Sequence, residues 1–215
     1  MEIKLVKMDK VYKLNHDYDH SGDSERDAFH VPFEGDGNIS AYLIDTEMYS
    51  SDLLPDFIAF QANFQLIPNY DYPLTDLNIP IMHKRMLEIF LSLGRINYEY
   101  IPVIMIDDTF LDERFDNSGN LNPSVHKNED YLAVRLVDGL YDFLDLDKSD
   151  FRPSRVNPKI PSRINKAVLK KPVEDFPPLF RVKFSPSSLF VSQAAKEALE
   201  TNNIKGCVFE EVEVT

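Results

Sequence analysis

The stretch LFRVKFSPSSLFVSQAAKEALETNNIKGCVFEEVEV, Leu179 to Val214, decides how the rest of the chain is read. Leu179-Phe180-Arg181-Val182 has the length and apolar content of a strand. Ser185-Pro186 predicts a turn, and Leu189-Phe190-Val191 a second short strand. Ser192 stands where a helix needs its N-cap, because its hydroxyl can accept from an orphan N–H of the first turn. The helix predicted over 192–201 carries Ala195, Ala198 and Leu199 on one face. Such small side chains let a helix lie close against a sheet. Asn202-Asn203 closes the helix, and an alternating strand follows. A looser copy of this unit runs over 79–106, with Phe90 opposite Leu199 and Ile96 opposite Ile204. Neither copy holds a chemical motif, so the pair reads as a binding scaffold more than as an active site.

Working outward, the pattern predicts an α+β fold with a mostly antiparallel or mixed sheet and two strand–helix–strand units forming a pseudo-repeat. One domain over 1–215 is expected, with 1–110 and 128–215 as the lobes if the chain divides. The hydrophobic fraction, 43%, is that of an ordinary globular protein. A chain of this size buries roughly 70% of its unfolded surface. No disulfide is needed, and the single cysteine, Cys207, reads as a core thiol in a reducing compartment. No apolar run approaches ~18 residues, so no membrane span is expected. MEIKLVKMDKVYKL lacks the apolar centre of a secretion signal, and the expected location is cytoplasmic. The net charge of −13, from 36 acids and 23 bases, repels nucleic acid and anionic membrane and favours a basic partner.

Strands are predicted over 11–14, 39–43, 57–60, 64–67, 98–106 and 131–137. Pro68 stops the fourth of these. A helix is predicted over 83–93, with Met86, Phe90 and Leu93 on its apolar face and Gly94 ending it. Residues 141–146 suit a strand and a helical turn equally. Two long polar segments, 15–38 and 112–130, read as loops, and loops of that length are often functional. Residues 151–171 hold seven basic residues, three prolines and no acid. They read as an extended connector, with a short helix around 163–169 and contacts to the chain's own acidic loops.

Three groups of residues have ligand or acid–base character. Asp17-Tyr18-Asp19-His20-Ser21-Gly22-Asp23 imitates the start of a calcium loop, but the twelfth position, where a bidentate Glu is needed, is Ala28. His16 and His20, four apart with Asp17 and Asp19 between them, would suit zinc on a helix. The Gly, Ser and Asp around them argue against a helix. Asp107, Asp108, Asp112, Glu113 and Asp116 form a second acidic group around Phe110. A negative rim around an aromatic anchor suits a protein interface. Nucleophile elbow, P-loop and dinucleotide fingerprint are all absent.

Five blocks stand out together: Val11-Tyr12-Lys13-Leu14 leading to Asp17-Tyr18-Asp19, Asp71-Tyr72-Pro73, Glu99-Tyr100-Ile101-Pro102-Val103, Asp145-Leu146-Asp147-Lys148-Ser149, and the closing segment from Leu179-Phe180-Arg181 through Leu189-Phe190-Val191-Ser192 to the Gly206 strand. With them the chain resembles a family of small bacterial immunity proteins encoded beside polymorphic toxins, once classed as a domain of unknown function. The resemblance implies an α+β protein without catalytic activity or cofactor. It implies stoichiometric binding to a cognate toxin domain, whose active site or folding is blocked. Tyr12, Pro73 and Phe180-Arg181 would organise the fold. One departure is that the mid-chain helix starts at Met82-His83 where the family favours a Ser cap. The acidic charge adds a basic toxin, such as a nuclease, as the expected partner. The expected interface is Asp17, Tyr18, Asp19 and Asp23 with Asp107, Asp108, Phe110, Asp112, Glu113 and Asp116. Rival readings are a metal-dependent hydrolase using His16, Asp17, Asp19 and His20, and a non-enzymatic adaptor.

Overall fold

The computed structural model describes residues 10–18, 26–32, 39, 52, 54–77, 79–110, 112–116, 118, 120–137 and 140–215. Among them are thirteen strands and two α-helices, an α+β architecture. The strands are β1 (Val11–His16), β2 (Ala28–His30), β3 (Ile58–Ala62), β4 (Ile81–His83), β5 (Tyr98–Asp107), β6 (Lys127–Leu136), β7 (Leu140–Tyr141), β8 (Asp150–Pro153), β9 (Pro161–Lys166), β10 (Val168–Leu169), β11 (Leu179–Val182), β12 (Ser185–Ser192) and β13 (Cys207–Val214). The helices are α1 (Lys84–Leu93) and α2 (Gln193–Thr201).

A six-stranded sheet has the order β10-β13-β1-β12-β11-β7, a five-stranded sheet the order β2-β3-β5-β6-β4, and β8-β9 stand as a separate pair. Most pairings are antiparallel; β10–β13, β11–β7 and β3–β5 are parallel. The two strand–helix–strand units use one connection. Helix α1 joins β4 to β5, and both flank β6 antiparallel to it. Helix α2 joins β12 to β13, and both flank β1 in the same way. Each unit is therefore split by a strand from elsewhere in the chain.

The helices meet each other in one apolar cluster that also draws on both sheets. Met86 and Phe90 of α1 and Ala195 and Leu199 of α2 are buried there with Tyr12, Leu14, Leu132 and Val134. Each helix contributes a buried pair four residues apart, the spacing that stacks side chains on one face. The N-caps also correspond. Ser192 Oγ accepts from Ala195 N–H, and His83 Nδ1 accepts from Arg85 N–H. A ring nitrogen thus takes at α1 the acceptor role that the Ser192 hydroxyl has at α2. Asn203 adopts the left-handed conformation (φ 54) just past α2.

Several sequence expectations give way to local chemistry. Gly94 ends α1 in an extended conformation (φ 165), not a left-handed one. The hairpin turn before β12 is Lys183-Phe184, with Phe184 at φ 65, and Ser185-Pro186 already lie in the strand. Residues 64–67 are not a strand. Asn63 Oδ1 accepts from Gln65 N–H and turns the chain into a 3₁₀ helix, Ile67–Asn69. Residues 163–169 form β9 and β10, not a helix. Ile164 and Leu169 would not share a helical face, whereas strand pairing with β8 puts Ile164 on the covered side. Residues 141–146 begin as β7 and then run irregularly. The polar segment 15–38 contains the end of β1 and all of β2, and β6 begins at Lys127 inside the segment 112–130. Of the strand expected over 39–43, only Ile39 lies among the described residues, helical and buried.

Candidate functional site

The segment Asp71-Tyr72-Pro73 crosses between the two helical units, and all three residues are buried. The Asp71 carboxylate takes a bidentate pair from the Arg85 guanidinium at the start of α1. It also accepts from Lys205 N–H (2.9 Å) beyond α2. Backbone bonds repeat the connection: Asp71 and Tyr72 N–H donate to the Lys205 carbonyl, and His83 N–H donates to the Asp71 carbonyl. Gly206 sits so close that a Cβ there would lie 2.7 Å from the Tyr72 carbonyl oxygen, and its φ is +86. Only glycine fits both constraints.

His16, the last residue of β1, stacks on Tyr72 with ring centroids 4.2 Å apart and planes 8° from parallel. Burial, reinforced by Arg26, lowers the His16 pKa to about 4. Its Nε2 is buried without a hydrogen-bond partner among the described residues. Burial also pushes the Tyr72 hydroxyl and the Cys207 thiol up, the latter to about 12. Cys207, partly buried against the apolar cluster, is thus held in its neutral form. Tyr12, which donates to Gln193 Oε1 (2.7 Å), and Phe180-Arg181 are buried as well. A groove of about 290 Å³ opens beside His16 and Tyr72, between Lys13, Asn15, Ser187 and Ser188, with Tyr18 on its rim. Tyr18 is 66% exposed.

The expected interface residues fall on separate elements. Asp17 and Tyr18 follow β1 in the six-stranded sheet; Asp17 N–H donates to the Gly206 carbonyl. Asp19 and Asp23 lie outside the described residues, as does His20. Asp107 ends β5 in the five-stranded sheet. Its Oδ1 accepts from Thr109 N–H and Oγ, which hold its carboxyl below the usual range, and Oδ2 lies 3.4 Å from His126 Nδ1. Asp116 is likewise held down, by the Asn120 side chain and backbone and by Ser118 N–H. Both carboxylates therefore organise their own loop. Phe110 is half-buried against Ile104, Ile106 and Val125, packed on the sheet. Asp108, Asp112 and Glu113 are exposed. Two of the four expected metal ligands are among the undescribed residues, and the described ones hold no cluster of three or more metal-ligating side chains.

Sequence reasoning did not foresee the basic β8–β9 hairpin, whose tip includes Val156 at 95% exposure. The run of seven bases without an acid was its signal. Among the described residues only Lys166 of the hairpin forms an ion pair, with Glu213 (2.9 Å), so contact with the acidic loops does not account for its charge. No helix among the described residues is long and apolar enough to cross a membrane.

Residues 121–214 match the model of an immunity protein family, Imm11. The resemblance read from the closing segment is thereby borne out over that stretch. It contains β6 to β13 with α2, including the hairpin, whereas every acidic interface candidate precedes it. No curated protein matches the chain significantly.

Proposed function

We propose that this chain is an immunity protein that neutralises a cognate toxin domain by stoichiometric occlusion, without turnover. The family match over residues 121–214 carries the proposal. The interior supports it. The polar groups that could act chemically, His16, Tyr72 and Cys207, are packed into the crosspiece and held in their neutral forms. They are built to join two units, and that rigidity suits a preformed binding face. The single domain we infer rests on the apolar cluster shared by both sheets. The matching connection and caps of the two helical units fit a pseudo-repeat. Action in the cytoplasm of the producing cell follows from the same reading.

We assign the exposed acids Asp108, Asp112 and Glu113 after β5, and separately Tyr18 beside its groove after β1, as contact points for a basic toxin such as a nuclease. Carboxylates there speed encounter and set specificity. Co-expression with the product of the adjacent gene tests the function; a toxin-like domain at its end is expected. Rescue of growth and a one-to-one complex are expected; failure of both returns the chain to the adaptor reading. Within that complex, the triple change Asp108→Lys, Asp112→Lys and Glu113→Lys should slow association about tenfold at low salt. An unchanged rate removes this loop from the interface. Asp107 and Asp116 are left intact because they hold the loop together. Metal analysis of carefully prepared protein addresses the hydrolase alternative, which needs stoichiometric metal.

A further inference from the structure

We infer that the β8–β9 hairpin is a second docking arm, built for an acidic surface on the same toxin partner; the inference rests on the immunity reading. Four observations carry it. The hairpin pairs only with itself, as a two-stranded sheet. In its ladder Arg152 lies directly opposite Arg163. Both are exposed, and among the described residues neither guanidinium has an ion-pair or hydrogen-bond partner. Like charges directly opposite destabilise a strand pair. No carboxylate pairs with either arginine among the described residues to offset that repulsion, and an anionic group placed between them would reverse its sign.

The tip continues the pattern. Arg155 and Lys159 are exposed, and Val156 projects at 95% exposure with Ile160 behind it. The tip is nonetheless ordered by its own bonds: Ser154 N–H to the Ile160 carbonyl, Ile160 N–H to the Asn157 carbonyl, and Val156 N–H to Ser154 Oγ. The opposite face is anchored, with Ile164 packed against the core and Lys166 paired to Glu213. The arm therefore presents a rigid, cationic surface ending in an aliphatic knob. Four unpaired bases on a chain of net charge −13 are a local reversal of sign. Complementary potential suits an acidic partner, and the knob suits a protein pocket better than a phosphate backbone. The charge of the whole chain also opposes nucleic acid. The toxin would thus meet acids from one part of this protein and bases from another, which fixes its orientation.

The test uses the full chain and the toxin domain that it protects against, sought first in the product of the adjacent gene. Arg152→Ser with Arg163→Ser should weaken the complex about tenfold or more while leaving thermal stability equal or higher, since repulsion is relieved. Val156→Asp should speed dissociation by a similar factor. Wild-type binding with unchanged affinity in both variants overturns the arm and leaves the immunity reading standing. No wild-type complex overturns both. Two further results also overturn the assignment: retention of a short DNA duplex by wild type but not by the arginine variant, and a wild-type dimer dispersed by that variant.

Discussion

The Asp71-Tyr72 crosspiece and the β8–β9 hairpin handle polar groups in opposite ways. Inside, each group of Asp71 meets a donor or acceptor from a different element: Arg85, Lys205 and His83. Outside, Arg152, Arg155, Lys159 and Arg163 stand with no ion-pair partner among the described residues. A buried polar group without its partner is costly, so the first arrangement holds a fold together. An exposed like-charge pair does not stabilise the strands that carry it, so the second arrangement leaves its charge open to solvent. Changes in the crosspiece should accordingly be read in unfolding experiments, and changes in the hairpin in binding experiments.

The largest loss of stability is expected from Gly206→Ala in the crosspiece. Its Cβ would strike the Tyr72 carbonyl in a left-handed conformation, and roughly 3–4 kcal/mol of stability should be lost in denaturant titration. Tolerance of alanine there would mean that the crosspiece yields easily. The next effect is a pH dependence. His16 titrates near 6.5 when unfolded and near 4 when folded, so the unfolded state binds the proton first as pH falls. Stability is full above the unfolded value and is lost as pH drops toward the folded one. Roughly 2–3 kcal/mol should disappear between about pH 7 and about pH 4.5. His16→Phe keeps an aromatic ring against Tyr72 and should remove that component from the urea profile.

Asp71→Ala follows, at roughly 2–3 kcal/mol. It strands the Lys205 N–H and one side of a pair whose arginine is half-exposed and can return to water. Ser192→Ala should cost about 1 kcal/mol, the usual worth of an N-cap, measured by thermal unfolding. Smallest of all, Arg155→Ser at the hairpin tip should shift stability by less than about 0.5 kcal/mol. A loss comparable with that of Asp71→Ala would reassign the arm to the folded core.

Much of the architecture was legible because its causes are local. Ser192, the spacing of Ala195 and Leu199, and the alternation after Gly206 each act within a turn or two of chain. The same is true of Met86 and Phe90, which are buried on α1 with Leu87, whereas Leu93, expected on that face, is exposed at the helix end. The surroundings of the expected interface residues were less legible. Phe110 looked like an exposed anchor because its neighbours are acidic, but Ile104, Ile106 and Val125 cover part of it. Asp107 and Asp116 looked like free charge, yet their first partners are residues two to four positions away. The hairpin was hidden because prolines at 153, 158 and 161 suggested a connector.

The two helical units, the Ser192 cap and the uneven distribution of charge follow from the sequence alone, since capping and amphipathic period depend on neighbours along the chain. Only the tertiary structure decided that β1 and β6 split those units, that Asp71 reaches Lys205 across 134 residues, and that Arg152 faces Arg163. The physical reason is that strand pairing and desolvation depend on separation in space. A side chain becomes a tie or a free charge according to what the distant chain brings to it.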